Sequence, residues 1–169
     1  MPQTRRRPLL RTPLVALLAV FGALFAAPPR PAHAGGDWNN AGVVWHSYAD
    51  GIAEAKKSGK PVCLIAFTEW CGHCKNYSAV FHDPKVVEMS KKFVMIRLDQ
   101  DQNKDVLKDF APDGQYIPRT MFLSSDGKLD TELRAPRETY RYFYDEGRAD
   151  GPTGILGGMQ RALEKFGGK

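Results

Sequence analysis

KPVCLIAFTEWCGHCK, residues 60–75, is the stretch that decides the fold. Its apolar run from Val62 to Phe67 predicts a β-strand that is buried on both faces. A CxxC motif, Cys71 to Cys74, follows directly, and residues 76–81 can continue as a helix. The sequence therefore predicts two thiols at the junction between a buried strand and a helix.

The first cysteine of the motif gains most from this junction. A helix N-terminus presents free amide groups and the positive end of the helix dipole, and both stabilise a thiolate over a thiol. We therefore expect Cys71 to be exposed and reactive. A CxxC beside a strand and a helix is also typical of redox proteins. Cys63 lies inside the apolar strand, where we expect it to pack as a core residue rather than to act as a nucleophile.

The first 34 residues resemble an export signal in their charge and hydropathy. A start with several arginines leads into 14 apolar residues, Leu14 to Ala27, and then into the small-x-small site Ala32-His33-Ala34. This pattern predicts a signal peptide, residues 1–34, that is cleaved after Ala34. The alternative, a retained membrane anchor, would need about 20 apolar residues. We expect no membrane anchor after cleavage, and a periplasmic or extracellular location.

The net charge of +5 does not indicate a nucleic-acid partner. Five arginines precede Gly35 in a region without acids, so the remaining 19 basic residues balance 19 acidic ones. No basic patch is predicted outside the signal. The Gly- and Asn-rich residues 35–44 are expected to be a flexible lead-in, and residues 45–169 a single folded domain.

The rest of the chain alternates between helix and strand patterns. Predicted helices are capped by Ser47 and Asp83, with Gly59 ending the first of them. Further elements are a strand at 93–98, a helix through Val106 and Phe110, a strand at 119–123 paired with 128–134 through a turn at 125–127, a helical turn at 139–144, and an amphipathic helix from Leu156 to Phe166. This order predicts an α/β fold, a central mixed β-sheet flanked by helices on both faces.

The motif Trp70-Cys71-Gly72-His73-Cys74-Lys75, the buried strand before it and the later Ile117-Pro118 resemble the thioredoxin superfamily. The resemblance covers residues 45–166. Residues 110–119 and 140–144 more narrowly resemble small single-domain thioredoxin-like proteins of the endoplasmic reticulum, which are relatives of protein disulfide isomerase. The resemblance implies a thioredoxin-like fold.

The resemblance also implies roles for individual residues. Cys71 would attack a disulfide, Cys74 would resolve the mixed disulfide, and Pro118 would follow a cis bond from Ile117 and lie against the sulfurs. The remaining motif residues, Trp70, Gly72 and His73, would support the pair, and His73 matches the CGHC of the isomerases. The residues alone leave two alternatives open, a solvated helix position for His73 and simple cover of the motif for Trp70.

Two departures from the family pattern stand out. The chain ends Gly167-Gly168-Lys169 rather than in a retention tetrapeptide, so the sequence does not support residence in the endoplasmic reticulum. The family usually buries an acid six residues before the first cysteine, and this chain has Ile65 there. The sequence therefore does not identify the group that takes the proton from Cys74.

These observations predict an exported thiol–disulfide oxidoreductase that acts on protein disulfides and thiols. We expect a monomer that needs no metal or cofactor, together with a redox partner that no residue identifies. Two alternatives are a copper or zinc carrier that uses the same CxxC, and a module that binds clients without turnover. A structural zinc site would need four ligands, and the sequence has no second CxxC.

Overall fold

The computed structural model describes Met1 and residues 36–167. The predicted signal peptide, Gly35 and the last two residues lie outside the described part. The strands are β1 (Trp45–His46), β2 (Val62–Phe67), β3 (Val94–Asp99) and β4 (Arg119–Leu123). The α-helices are α1 (Tyr48–Ser58), α2 (Gly72–Ser78), α3 (Pro84–Ser90), α4 (Lys104–Leu107) and α5 (Ile155–Phe166), and 3₁₀ turns at Ala79–His82 and Lys108–Phe110 extend α2 and α4.

The sheet is mixed, with the strand order β1-β3-β2-β4. The strands β1, β3 and β2 run parallel, and β4 pairs with β2 in the antiparallel direction. Every residue of β2 is buried, because alternate side chains enter the cores on the two faces. One core includes residues of α2, α3 and α5, and the other includes residues of α1 and α4. The predicted fold class is therefore confirmed.

The predicted helix ends are also confirmed. The hydroxyl of Ser47 accepts a hydrogen bond from the amide of Asp50 at 3.3 Å, and Gly59 closes α1 with a φ of 72°. Asp83 caps α3 through the amide of Lys85 at 2.7 Å. Among the described helices, none is both long enough and apolar enough to cross a bilayer.

Two predicted elements after β4 are wrong. Residues 128–134 do not form a strand, because pairing stops at a single bridge between Leu123 and Leu129. Asp130 then turns the chain by accepting the amide of Glu132 on its side chain, and Leu133 enters the core. The predicted helical turn at 139–144 is reduced to one hydrogen bond, from the amide of Phe143 to the carbonyl of Tyr140 at 2.9 Å. It does not form a helix because Tyr140 has a φ of 52° and because the carbonyls of Arg141 and Tyr142 accept from the amides of Ala135 and Thr120 in other segments, each at 2.8 Å.

The residues just before β1 contribute to the core, although no pattern in the sequence indicates this. Trp38 and Val43 are buried, and the indole of Trp38 packs against Phe67, Tyr77 and Phe81. Gly36 is buried against α2 with a φ of 97°, and a Cβ there would lie 2.9 Å from the Cα of Lys75 and still closer to the hydroxyl of Ser78. The packed domain thus includes residues that the sequence analysis placed ahead of it.

Candidate active site

The two cysteines lie where β2 leads into α2, as predicted. The strand ends at Phe67, and the amide of Cys71 donates to the carbonyl of Thr68 at 3.3 Å. Cys71 is the N-cap of α2, and its Sγ accepts a hydrogen bond from the amide of Cys74 at 3.2 Å. This bond places the sulfur of Cys71 at the free amides of the helix, where negative charge is stabilised.

Cys71 is less exposed than the sequence predicted. Its exposed fraction is 6%, while Cys74 and Cys63 are fully buried. The sulfur of Cys71 is turned toward the helix amides, and the carbonyl oxygen of Ile117 lies 3.9 Å from it. Cys71 is therefore the more accessible cysteine of the pair, although only a small part of it reaches the surface.

Burial raises the pKa values of the two fully buried thiols, Cys63 and Cys74. It raises the pKa of the Cys74 thiol, and the hydrogen bond with Cys71 raises that pKa further. The pKa of the Cys63 thiol is raised by burial as well, which agrees with its predicted role in the core. At neutral pH Cys74 is therefore a thiol that must lose a proton before it can act as a nucleophile.

The loop before β4 brings the carbonyl of Ile117 to Cys71. The Ile117–Pro118 peptide bond is cis, as predicted. The loop is held from below by Arg119, which is fully buried and donates from Nη1 to the carbonyl of Tyr116 and to the side chain of Gln100. A rigid connection to the sheet therefore positions the Ile117 carbonyl beside Cys71.

His73 is held by a carboxylate that the sequence did not reveal. Its Nδ1 lies 2.5 Å from Oε1 of Glu146, and the other carboxylate oxygen accepts from the side chain of Asn76 at 2.9 Å. The side chain of Glu146 is 21% exposed, against 70% for His73. The ring of Phe143 meets the imidazole edge to face at 5.9 Å. His73 is thus more than a solvated helix residue.

Trp70 lies on the surface beside the motif, with 73% of the residue exposed. Its indole N–H donates to the carboxylate of Asp101 at 2.8 Å. Asp101 therefore fixes the indole from the segment after β3. Gly72 is exposed as well, and a Cβ built on it would meet no atom within 4 Å, so packing does not explain the glycine.

A cavity of about 400 Å³ opens next to Ile117 and His73. Its other lining residues are Tyr116, Arg137, Tyr140 and Phe143. Tyr140 is 61% exposed, has a φ of 52° and packs its ring against Tyr116 at 4.8 Å. Arg137 lies over Phe143 and pairs with Asp145 at 2.5 Å. The cavity therefore has aromatic walls and an arginine whose charge is already matched.

The position where the family usually has a buried acid is apolar. Ile65 packs in the same core as Cys71 and Cys74, and it is in register with Arg97 on the neighbouring strand. The guanidinium of Arg97 lies 5.2 to 5.3 Å from the rings of Trp38, Trp45 and Phe67. Burial lowers the pKa of Arg97, and the charge of Glu69 opposes that shift. Position 65 is therefore paired with the cation of Arg97 on the neighbouring strand and does not itself supply an acid.

The structure brings together the residues that the sequence singled out and adds others to them. Asp101 and Glu146 were missed because each reaches the site from a segment with no motif of its own. Asn76 lies in α2 and Phe143 in the segment 140–144, but nothing in the sequence indicates their contacts with Glu146 and His73. Glu146 lies 73 positions after His73, in a segment without helix or strand periodicity. No local pattern in the sequence could have indicated these contacts.

Comparison with known proteins agrees with this geometry. Residues 44–125 match the family model described as thioredoxin-like. A thioredoxin from Thermus thermophilus has a similar fold, with a TM-score of 0.51 and 18% sequence identity over 75% of this chain and 91% of that one.

Curated relatives include the anterior gradient proteins. Anterior gradient protein 3 of Xenopus tropicalis is 28% identical over 61% of this chain, and the match spans 63% of that protein, just under two thirds of its length. The human anterior gradient protein 3 is 29% identical over 72% of this chain and 71% of its own length. Residues 44–125 are thus similar to thioredoxin-like proteins in sequence, and the described part of the chain has the thioredoxin-like fold.

Proposed function

We propose that this protein is an exported thiol–disulfide oxidoreductase that acts on protein disulfides through Cys71 and Cys74. One observation carries the proposal. The Sγ of Cys71 accepts the Cys74 amide at the start of α2, so that the more accessible sulfur is also the one at which a thiolate is stabilised. Cys74 lies one helical turn further on and is in reach of the same sulfur.

The reaction follows from this arrangement. The thiolate of Cys71 attacks one sulfur of the client disulfide, so that a Cys71–client bond forms and the other client sulfur leaves as a thiolate. Cys74 then loses its proton and attacks Sγ of Cys71. The Cys71–Cys74 disulfide forms, the client is released in its reduced form, and the client has gained the two electrons that the cysteine pair has lost. The same steps in reverse oxidise a client.

The surroundings of Cys71 favour a polypeptide as substrate. The carbonyl of Ile117 beside the sulfur can accept a main-chain amide of an extended chain. The aromatic cavity next to Ile117 offers room for an apolar side chain of that chain. A small disulfide would use neither feature. A redox partner must return the cysteine pair to its starting oxidation state after each turnover, and it would approach the pair at the same surface beside Cys71.

We expect the purified protein to catalyse insulin reduction by dithiothreitol, measured as turbidity, and to contain no stoichiometric copper or zinc. Within Met1 and residues 36–167, no three His, Cys, Asp or Glu side chains converge on a possible metal site. Insulin reduction without metal supports the proposal. Bound metal without reduction would favour a metal carrier, and suppression of insulin aggregation without reduction would favour a client-binding module.

Export is the second part of the proposal, and it rests on residues 1–34. We expect expression of the full chain in a bacterium to yield a periplasmic or extracellular product that begins at Gly35, measured by N-terminal sequencing after fractionation. A matched variant in which Leu17 and Leu18 are replaced by arginine should stay in the cytoplasm, because it interrupts the apolar run. Recovery of a product that retains Arg5 to Arg7 outside the cytoplasm would contradict cleavage.

A further inference from the structure

Glu146 bridges two residues of α2 that flank the resolving cysteine. One carboxylate oxygen binds Nδ1 of His73 at 2.5 Å, and the other accepts from the side chain of Asn76 at 2.9 Å. Cys74 lies between these two positions in the same helix, and the negative charge of Glu146 contributes to its raised pKa. The segment that carries Glu146 therefore closes over the helical turn that contains Cys74.

The contact with Glu146 decides which nitrogen of His73 carries a hydrogen. An ionised carboxylate can only accept, so Nδ1 must donate. A neutral imidazole with a hydrogen on Nδ1 has its lone pair on Nε2. Among the described residues, Nε2 of His73 has no hydrogen-bond partner, and the side chain is 70% exposed. Phe143 packs against the ring at 5.9 Å and limits its rotation.

Resolution of the mixed disulfide needs a group that accepts the proton of the Cys74 thiol. Burial raises the pKa of the Cys74 thiol, so that the thiolate is scarce at neutral pH. The family's usual acid would stand at position 65, where this chain has isoleucine. We propose that Glu146 is a positioning residue that keeps His73 in the Nδ1–H form, so that Nε2 takes the proton that Cys74 loses when it resolves the mixed disulfide. This inference rests on the thiol–disulfide exchange proposed above.

In the proposed step a proton moves from Cys74 to His73 and then to the departing client. The S–H bond of Cys74 breaks, its proton passes to Nε2 of His73 through one water, and its electron pair remains on sulfur. That sulfur bonds to Sγ of Cys71 as the bond from Cys71 to the client sulfur breaks. The client leaves as a thiolate and takes the proton back from the imidazolium. Glu146 stays bound to Nδ1 throughout, and its negative charge offsets the transient positive charge of the ring.

Other charges around the pair are already matched or neutral. Asp145, the neighbour of Glu146, is bound by Arg137 at 2.5 Å and by Arg148 at 3.6 Å. Cys74 and Asn76 from α2 and Phe143 from the segment of Glu146 interact with His73 or Glu146, and Tyr116, Arg137 and Tyr140 line the cavity beside His73. Besides Glu146 itself, none of these offers an unmatched carboxylate as a rival base.

The test is single-turnover exchange between the reduced protein and a cysteine-containing peptide disulfide, with acid quenching to separate formation of the mixed disulfide from its resolution. In Glu146→Gln, we expect formation within about twofold of wild type. Resolution near pH 7 should slow at least about tenfold, because general-base catalysis contributes this much or more. The resolution rate should also rise more steeply with pH than in wild type, because it then follows the thiolate fraction of Cys74. Glu138→Gln is the matched control, since it removes an exposed carboxylate from the same region, and it should leave both steps unchanged.

Two further measurements separate positioning from a merely structural role. Nitrogen NMR of His73 should show the Nδ1–H form in wild type and gain signal from the Nε2–H form in Glu146→Gln. Adding His73→Gln to Glu146→Gln should slow resolution by less than about twofold, because residues that act as one unit are not additive. Unchanged resolution in Glu146→Gln, or effects that multiply in the double variant, overturns the inference and leaves the proposed function standing. A wild-type protein that forms no mixed disulfide overturns both.

Discussion

Replacing Cys74 with alanine is expected to turn this protein from a catalyst into a trap for its clients. Cys71 keeps its place at the start of α2 and still attacks, but no second sulfur is available to release the client. We expect covalent complexes to accumulate and insulin reduction to fall by at least about a thousandfold, as losses of an acting group often do. Gel electrophoresis without reductant, beside the turbidity assay, measures both effects.

The matched variant is Cys71→Ala, which should neither trap clients nor reduce them. Cys63→Ala should behave like wild type, since burial keeps the Cys63 thiol protonated and out of reach. Equal trapping by Cys71→Ala and Cys74→Ala would reverse or remove the roles assigned here. The three cysteines are free in this structure, so none of the substitutions removes a disulfide from it. Circular dichroism of each variant checks that the fold is retained.

Ile65→Glu is expected to have the second largest effect, an increase in the rate of mixed-disulfide resolution. The new carboxylate would stand in the core that contains Cys74 and could take its proton. We expect resolution near pH 7 to speed up by about tenfold, less than the roughly hundredfold or more of a well-positioned general base, because nothing orients the new carboxylate. Single-turnover exchange between about pH 6 and pH 8 measures the change. An unchanged pH profile with an intact fold would show either that another base, such as His73, already serves Cys74 or that proton transfer from Cys74 does not limit resolution.

The cost in stability of the same change depends on Arg97. Ile65 and Arg97 are in register on adjacent strands, so a carboxylate at position 65 would have a cation as its partner. We expect the free energy of unfolding to fall by about 1–3 kcal/mol, the range for a buried polar group that is imperfectly paired. Urea denaturation of Ile65→Glu beside Ile65→Gln would separate the contribution of the charge, because only the glutamate can pair with Arg97.

The sequence predicts the parts of the fold that are local or periodic. The buried run of β2, the caps at Ser47 and Asp83 and the position of the cysteines are each encoded within a few residues, and the structure confirms them. The strand at 128–134 was predicted from a turn signal alone. Its pairing fails because Asp130 satisfies the backbone amide of Glu132 with its own side chain, and no pattern announces that competition.

The residues of the candidate site that belong to a sequence motif could be predicted, and those that reach the site from distant segments could not. The CGHC motif and the cis proline carry their own signatures, so Cys71, Cys74 and Pro118 could be named in advance. Asp101 and Glu146 act on this motif from segments 31 and 73 residues away, through single hydrogen bonds to Trp70 and His73. Such contacts depend on where an irregular segment returns to the sheet, and one sequence contains no record of that.

The close packing of Gly36 against α2 bears on the order of events during maturation. If the leader is cleaved after Ala34, the peptidase must grip an extended chain only two residues from a backbone that is already buried. We therefore expect cleavage to come before residues 36–38 dock, so that the helix that bears both cysteines gains these packing contacts only in processed molecules.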